Sequence, residues 1–170
     1  MDTGDKMITL IGLPITDNRV IEFVNKLGKK TPIICKNVMN RKPELIDLEK
    51  ELGLVIGFDY DKRILSQKKI KETMLFVDGI DFSYDFKKLP FGILNTDSKT
   101  TVIEKIKTIK GISEMYIETK VEDNHLAWFN KTQNYWMWVS FEKDAPFEVC
   151  EISIKIYQPP SKIKIFKLAN

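Results

Sequence analysis

The sequence predicts an α+β fold built from a tandemly duplicated unit, a helix followed by antiparallel strands, with the two copies forming a pseudo-twofold domain. Three observations predict it. The segment from Gly12 to Gly28 returns in altered form from Gly92 to Gly111; each copy carries a helical apolar stripe; and each is followed by runs in which apolar residues alternate with polar ones. Gly92, Thr96-Asp97, Val102-Ile103-Glu104 and Gly111 fall in the places of Gly12, Thr16-Asp17, Val20-Ile21-Glu22 and Gly28, with two residues inserted after Asp97. The implied halves are residues 1–87 and 88–170, sharing one compact domain.

Residues 7–13 are apolar and read either as a short strand or as the lead-in to the first helix. Thr16 and Asp17 offer side-chain oxygens to the open amides of a first helical turn. Val20, Phe23, Val24 and Leu27 then form one buried face, and Gly28 stops the helix. Pro32-Ile33-Ile34-Cys35 reads as a short strand, and Glu44 to Leu48 after Pro43 as a helical turn or a loop.

From Leu52 to Tyr60 the alternation of Leu54, Ile56 and Phe58 predicts a strand with one packed face. Gly53 and Gly57 thin its other face, which predicts a bulge or a close backbone approach. Ile64-Leu65 and Ile70 to Val77 read as further strands, and Asp78-Gly79 as a hairpin turn leading to Ile80, Phe82 and Tyr84.

In the second half Thr96, Asp97 and Ser98 offer caps, and Val102, Ile103, Ile106 and Ile109 give the stripe. Lys99, Lys105, Lys107 and Lys110 read as a solvated face. Ile112 to Val121 is a predicted strand, Glu122 to Asn134 a polar loop holding Ala127-Trp128-Phe129, and Tyr135 to Phe141 a strand by its aromatic content. Val149 to Tyr157 alternates, and the lysines of Lys162 to Lys167 suit an edge strand.

Charge sets bounds on function. The 27 basic and 24 acidic residues leave a net +3 and are interspersed, which disfavours nucleic acid as the main partner, because phosphate binding works through concentrated basic patches. The start of the chain lacks a signal-peptide pattern, and no run reaches the roughly 18 apolar residues of a membrane span, so a cytoplasmic location without membrane contact is expected. Cys35 and Cys150 read as reduced thiols.

Catalytic patterns are sparse. One histidine, His125, stands beside Asp123 and Asn124; one imidazole with two separated cysteines does not make a zinc set, and no phosphate loop or nucleophile elbow occurs. Asp59 with Asp61 is the carboxylate pair best placed for a metal or for acid–base work, but Lys62 and Arg63 follow at once. The expectation is a protein that is not an enzyme, with no metal and no cofactor.

Surface recognition remains. Asp78, Asp81, Tyr84 and Asp85 form an acidic, aromatic ribbon suited to a cationic surface, and Trp136 and Trp138 share one strand face that is either core or exposed. These six are the candidate partner-binding residues. The alternative is a single-stranded nucleic-acid module that stacks bases on Trp136, Trp138 and Tyr135 beside rim lysines.

Leu13-Pro14 with Thr16-Asp17 to Gly28, Leu89-Pro90-Phe91-Gly92 with Thr96-Asp97 to Gly111, and Trp-x-Trp-x-x-Phe from Trp136 to Phe141 together resemble bacterial immunity proteins of polymorphic toxin systems, including contact-dependent growth inhibition. The resemblance implies an antitoxin that binds a cognate protein toxin domain and covers its active site or substrate path, with no catalytic residue to transfer. Inhibitors of nucleases are often acidic, so a nuclease target for this slightly basic chain requires acids gathered on one face.

Overall fold

The computed structural model describes residues 3–31, 44–60, 75–116, 125–130, 132–142 and 149–156. Among these, helices α1 (Gly4–Ile8), α2 (Asn18–Lys26), α3 (Glu49–Leu52) and α4 (Lys99–Lys107) accompany strands β1 (Glu44–Leu48), β2 (Leu54–Tyr60), β3 (Leu75–Ser83), β4 (Ile112–Tyr116), β5 (His125–Asn130), β6 (Tyr135–Phe141) and β7 (Val149–Ile156). The chain is an α+β protein. Its strands form one seven-stranded sheet in the order β1-β2-β3-β7-β6-β5-β4, each neighbouring pair antiparallel.

Most of the buried apolar residues of the strands point one way. Ile56, Phe58, Val77, Ile80, Phe82, Met137, Val139, Ile152 and Ile154 join Met7 of α1, Val20, Phe23 and Val24 of α2, and Val102 and Ile106 of α4 in a single core. Helices α1, α2 and α4 therefore cover one face of the sheet, as a sheet with an apolar face requires.

α2 and α4 begin at side-chain caps, while α1 and α3 have none. Asp17 caps α2 by accepting from the Arg19 amide, and its carboxylate also accepts from the Arg19 guanidinium at 2.8 Å. That hydrogen bond lowers the Asp17 pKa to about 2. The cap stays ionised through the ordinary carboxylate range, and its contribution is lost only as the pH falls towards the folded value.

Of the three cap candidates in the second half, Ser98 is the N-cap of α4, accepting from the Thr101 amide. Asp97 instead turns inward, accepting from the Leu94 amide and from Lys105 Nζ at 2.6 Å. Lys105 also reaches the Gly92 carbonyl at 2.7 Å, so it straps the 3-10 turn Pro90–Gly92 to α4 and is not a solvated lysine.

Residues 7–13 belong to no long strand. α1 ends in their midst, and Leu13 to Ile15 then pair with the first part of β3, where Ile15 N donates to Leu75 O and Val77 N donates to Leu13 O. Glu44 to Leu48 is a strand, correcting the expected turn or loop: Ile46 and Leu48 are drawn into the core by pairing with Ile56 and Leu54. His125 to Asn130 is likewise a strand where a loop was expected. Polar residues at both of its ends hid an apolar stretch that pairs with β4 and β6.

The expected hairpin at Asp78-Gly79 is also corrected. β3 runs unbroken through both residues between β2 and β7, and the Asp-Gly pair makes a bulge: Gly57 pairs with Gly79 but Phe58 with Val77, so Asp78 is the extra residue. The insertion shifts the strand's phase by one, which keeps Val77 and Ile80 both in the core. A bulge at the thin Gly57 position agrees with the expectation from its glycines. The second bulge, where Cys150 is the extra residue between Ser140↔Glu151 and Phe141↔Val149, keeps Val149 and Ile152 inside in the same way.

The expected strands at Pro32-Cys35 and Ile64-Leu65, the edge strand at Lys162 to Lys167, and Asp61 and Cys35 lie outside the described residues.

Gly79 has a steric role that any side chain would break. A Cβ there would lie 2.6 Å from Lys155 Cγ and 2.9 Å from the Ile154 carbonyl oxygen. Gly79→Val is expected to cost roughly 1–3 kcal/mol, the usual penalty of forced overpacking, read as a lower urea midpoint. An unchanged midpoint would mean that β3 and β7 are not pressed together here. Ser98→Ala is expected to cost about 1 kcal/mol through loss of the α4 cap, measured in the same way.

Candidate functional site

The core takes one side of every strand, so the other side presents its residues away from the helices. Antiparallel register decides which of them stand together, because paired residues share a face. One row across the sheet runs Asp47, Val55, Asp81, Ser153, Trp138, Ala127. The next runs Leu45, Gly57, Gly79, Lys155, Trp136, Phe129. A third brings together Ser83, Glu151, Ser140 and His125.

The right-hand part of this face is aromatic. Trp136 and Trp138 stack with ring centroids 6.0 Å apart, and Phe129 lies 5.2 Å from Trp136. These three side chains are half-buried, whereas Tyr135, Met137, Val139 and Phe141, which alternate with the tryptophans, are buried. The strand thus places its tryptophans outside the core.

The left-hand part is acidic. Asp81 accepts a hydrogen bond from Ser153 Oγ and lies 3.7 Å from Lys155 Nζ. A groove of about 220 Å³ opens beside it, lined by Glu49, Gly53, Val55, Asp81, Ser83 and Glu151. The Glu151 carboxyl is raised above its ordinary value, first by desolvation in the groove and then by the negative charge of Asp81, with Glu49 adding to it and Lys155 and His125 opposing. The helix layer has the reverse balance, with Arg19 and Lys26 against Glu22 on α2, and Lys99, Lys105 and Lys107 against Glu104 on α4. Among the described residues, Asp47, Glu49, Asp81 and Glu151 form an acidic patch on or beside this sheet face.

Of the six candidates, Asp81, Trp136 and Trp138 come together on this face, with Asp81 and Trp138 in one row separated by Ser153. Two strand spacings put their backbones about 10 Å apart. Asp78 sits at the β3 bulge. Tyr84 and Asp85 lie beyond the end of β3, where Tyr84 is 60% exposed and Asp85 hydrogen-bonds with Ser83 Oγ. Phe82 and Phe86, neighbours in the same ribbon, are core residues packed edge to face at 5.1 Å. The ribbon is thus a central strand with a polar outer edge and not a free hairpin.

The residues weighed for chemistry do not converge. His125 Nδ1 lies 2.8 Å from Ser140 Oγ on β6, while Asp59 is on β2, with β3 and β7 between those two strands. Glu151 flanks Ser140 on the side away from His125, so the acid does not orient the imidazole as a nucleophile–base–acid relay requires. Among the described residues no group of three or more His, Cys, Asp or Glu is placed to hold a metal ion. No helix among them is long and apolar enough to cross a membrane.

Glu49, Phe129, Glu151, Ser153 and Lys155 are site residues that sequence reasoning did not single out. The outward set of β7 was visible as its polar alternation. Its neighbours were not, since cross-strand register depends on the pairing of β3 with β7.

No family model, no curated protein and no solved structure matches this chain. Function is therefore argued from this face.

The raised Glu151 carboxyl gives a pH prediction with a definite sign. A carboxyl whose folded pKa lies above its unfolded one makes the fold lose stability as the pH rises between the two. Glu151→Gln is expected to keep or raise the melting temperature at neutral pH, and any gain should vanish below the ordinary glutamate pKa of about 4.3. A lower melting temperature for the variant at neutral pH would mean that the ionised carboxylate is stabilising where it stands.

Proposed function

We propose that this chain is a non-enzymatic immunity protein that neutralises a cognate protein toxin domain by covering its active site or substrate path with the sheet face opposite α1, α2 and α4. The observation that carries the reading is the stacked Trp136–Trp138 pair set outside the core, in register with Asp81. Tryptophans on a surface bury large area with few rotors, and fixed acids beside them steer a cationic partner and fix its register. The acidic patch of Glu49, Asp81 and Glu151 would suit a cationic target such as a nuclease. A cytoplasmic site of action follows from the reading.

The two halves, 1–87 and 88–170, are further proposed to be copies of one unit. Several observations support this. α2 and α4 have nine residues each. The bulges at Gly57/Phe58 and Ser140/Phe141 precede Asp59 and Glu142 and carry extra residues Asp78 and Cys150. Val77, Asp78, Ile80 and Asp81 then match Val149, Cys150, Ile152 and Ser153 in burial, while Gly79 is buried and Glu151 exposed. On that alignment Asp81 and Ser153 are equivalents, and they pair with each other, while Gly79↔Lys155 and Ser83↔Glu151 are exchanged by a twofold axis through that pair.

A second reading keeps the Trp136, Trp138 and Phe129 cluster as a platform for single-stranded bases. Asp81, Asp47 and Glu151 beside it oppose the phosphates that such a ligand would bring.

The decisive assay is protection in cells. The chain, co-expressed with the toxin domain encoded beside it, is expected to restore growth, and Trp136→Ala/Trp138→Ala is expected to abolish protection while the melting temperature stays close to wild type. Full protection by the double variant would remove this face from the binding site.

A further inference from the structure

We infer that the occupant of the sheet face is an arginine-bearing basic segment of the partner protein, with one guanidinium seated in the groove between Glu49, Asp81 and Glu151 and the adjoining side chain resting on Trp136 and Trp138. The inference rests on the reading of this face as the binding surface and specifies what that surface holds.

Charge complementarity carries it. Three carboxylates reach the groove from three separate elements, α3, β3 and β7, and Gly53 and Val55 supply an uncharged floor. Lys155 is the one lysine in the three rows of paired residues, and it stands against Asp81 at 3.7 Å. Against the three carboxylates of the groove, Lys155 and the more distant His125 are the cationic or ionisable basic side chains in those rows, so the groove keeps an acidic balance that a further cation would answer. Within the groove the acids act against each other, as the raised Glu151 carboxyl records, so an arriving cation relieves existing repulsion as well as forming new contacts.

The form of the cation follows from the spacing. Asp81 pairs with Ser153 and Glu151 with Ser83, so the two carboxylates are diagonal neighbours with hydroxyls between them. That spread does not suit a bare divalent ion, which needs its oxygens converging at about 2.0–2.6 Å. It suits a planar fork with five N–H donors, which can be shared between two carboxylates and a hydroxyl.

The aromatic half points the same way. A guanidinium stacks on indole rings through cation–π contact, so a segment with a second arginine, or with the aliphatic stem of a lysine, continues across Ser153 onto Trp138. A polyanionic chain meets Asp47, Asp81 and Glu151 head-on and is repelled.

The test uses the whole chain and short capped peptides as probes, following the tryptophan emission of Trp136 and Trp138 over the constant background of buried Trp128. Tetra-arginine is expected to give a saturable change at low salt that weakens as salt rises. Tetra-lysine should bind less tightly, and tetra-glutamate and oligothymidylate should give no change. Asp81→Asn/Glu151→Gln should weaken tetra-arginine by about tenfold or more, the loss expected from removing charge-assisted hydrogen bonds. Absence of a saturable tetra-arginine signal, equal binding by the amide variant, or saturable binding of oligothymidylate would each overturn the inference.

The protection assay separates its failure from that of the broader reading. Protection lost in the tryptophan variant but kept in the amide variant removes the arginine and leaves the surface. Protection kept in both removes both.

Discussion

The antiparallel pairing of β3 with β7 is the joint on which the rest of the structure depends. The single core contains residues of α1, α2 and α4 together with strands from both β1-β2-β3 and β4 to β7. The joint requires close approach, and Gly79 supplies it by leaving room for Lys155 and the Ile154 carbonyl. It also creates the site. Asp81 comes from the first half of the chain and Trp138 from the second, and only their common pairing to Ser153 puts acid and aromatic on one row.

Around that joint, polar contacts fix the connections. Asn130 is fully buried, and its side chain donates to the Lys110 carbonyl at 3.3 Å and to Tyr135 Oη at 3.2 Å, while its Oδ1 accepts from the amides of Thr132 and Gln133. It thereby holds the β5–β6 turn against the end of the α4 region. Burial raises the Tyr135 hydroxyl pKa above its ordinary value, so it stays protonated as a partner in this contact. Asp5, whose charge also acts on Tyr135, accepts from the Phe91 amide at 2.7 Å and supports Phe91 at φ 61, a conformation uncommon for a residue with a Cβ. These contacts lie on the helix side or at the ends of strands and leave the sheet face to its own rows.

Local pattern was enough for the elements whose burial is local. The Val20, Phe23, Val24 stripe with Asp17 before it and Gly28 after it specified α2, and the aromatic alternation from Tyr135 specified β6 with its two tryptophans on one side. It failed where a long-range partner overrides a local signal. Asp78-Gly79 carries the chemistry of a hairpin turn, yet β2 and β7 on either side hold it extended as a bulge. Glu44 to Leu48 lacks a strong period of its own and becomes a strand because β2 offers it an edge. His125 to Asn130 was masked by polar flanks, and Lys105 looked like any exposed lysine until Asp97 folded inward to meet it. Three residues of the candidate site were readable from the sequence, namely Asp81, Trp136 and Trp138. The groove acids Glu49 and Glu151 were not, because their proximity arises from register between distant strands.

The account makes the sheet face opposite α1, α2 and α4 the working part of the molecule and those helices its support. The most direct measurement is a substitution scan of exposed positions on both faces, scored by growth of cells challenged with the toxin domain and corrected for protein abundance. Loss of protection is predicted to concentrate in the rows through Asp81, Ser153, Trp138, Lys155 and Trp136, with outward positions of α2 and α4 tolerant. Losses concentrated on α2 and α4, with those rows tolerant, would contradict it.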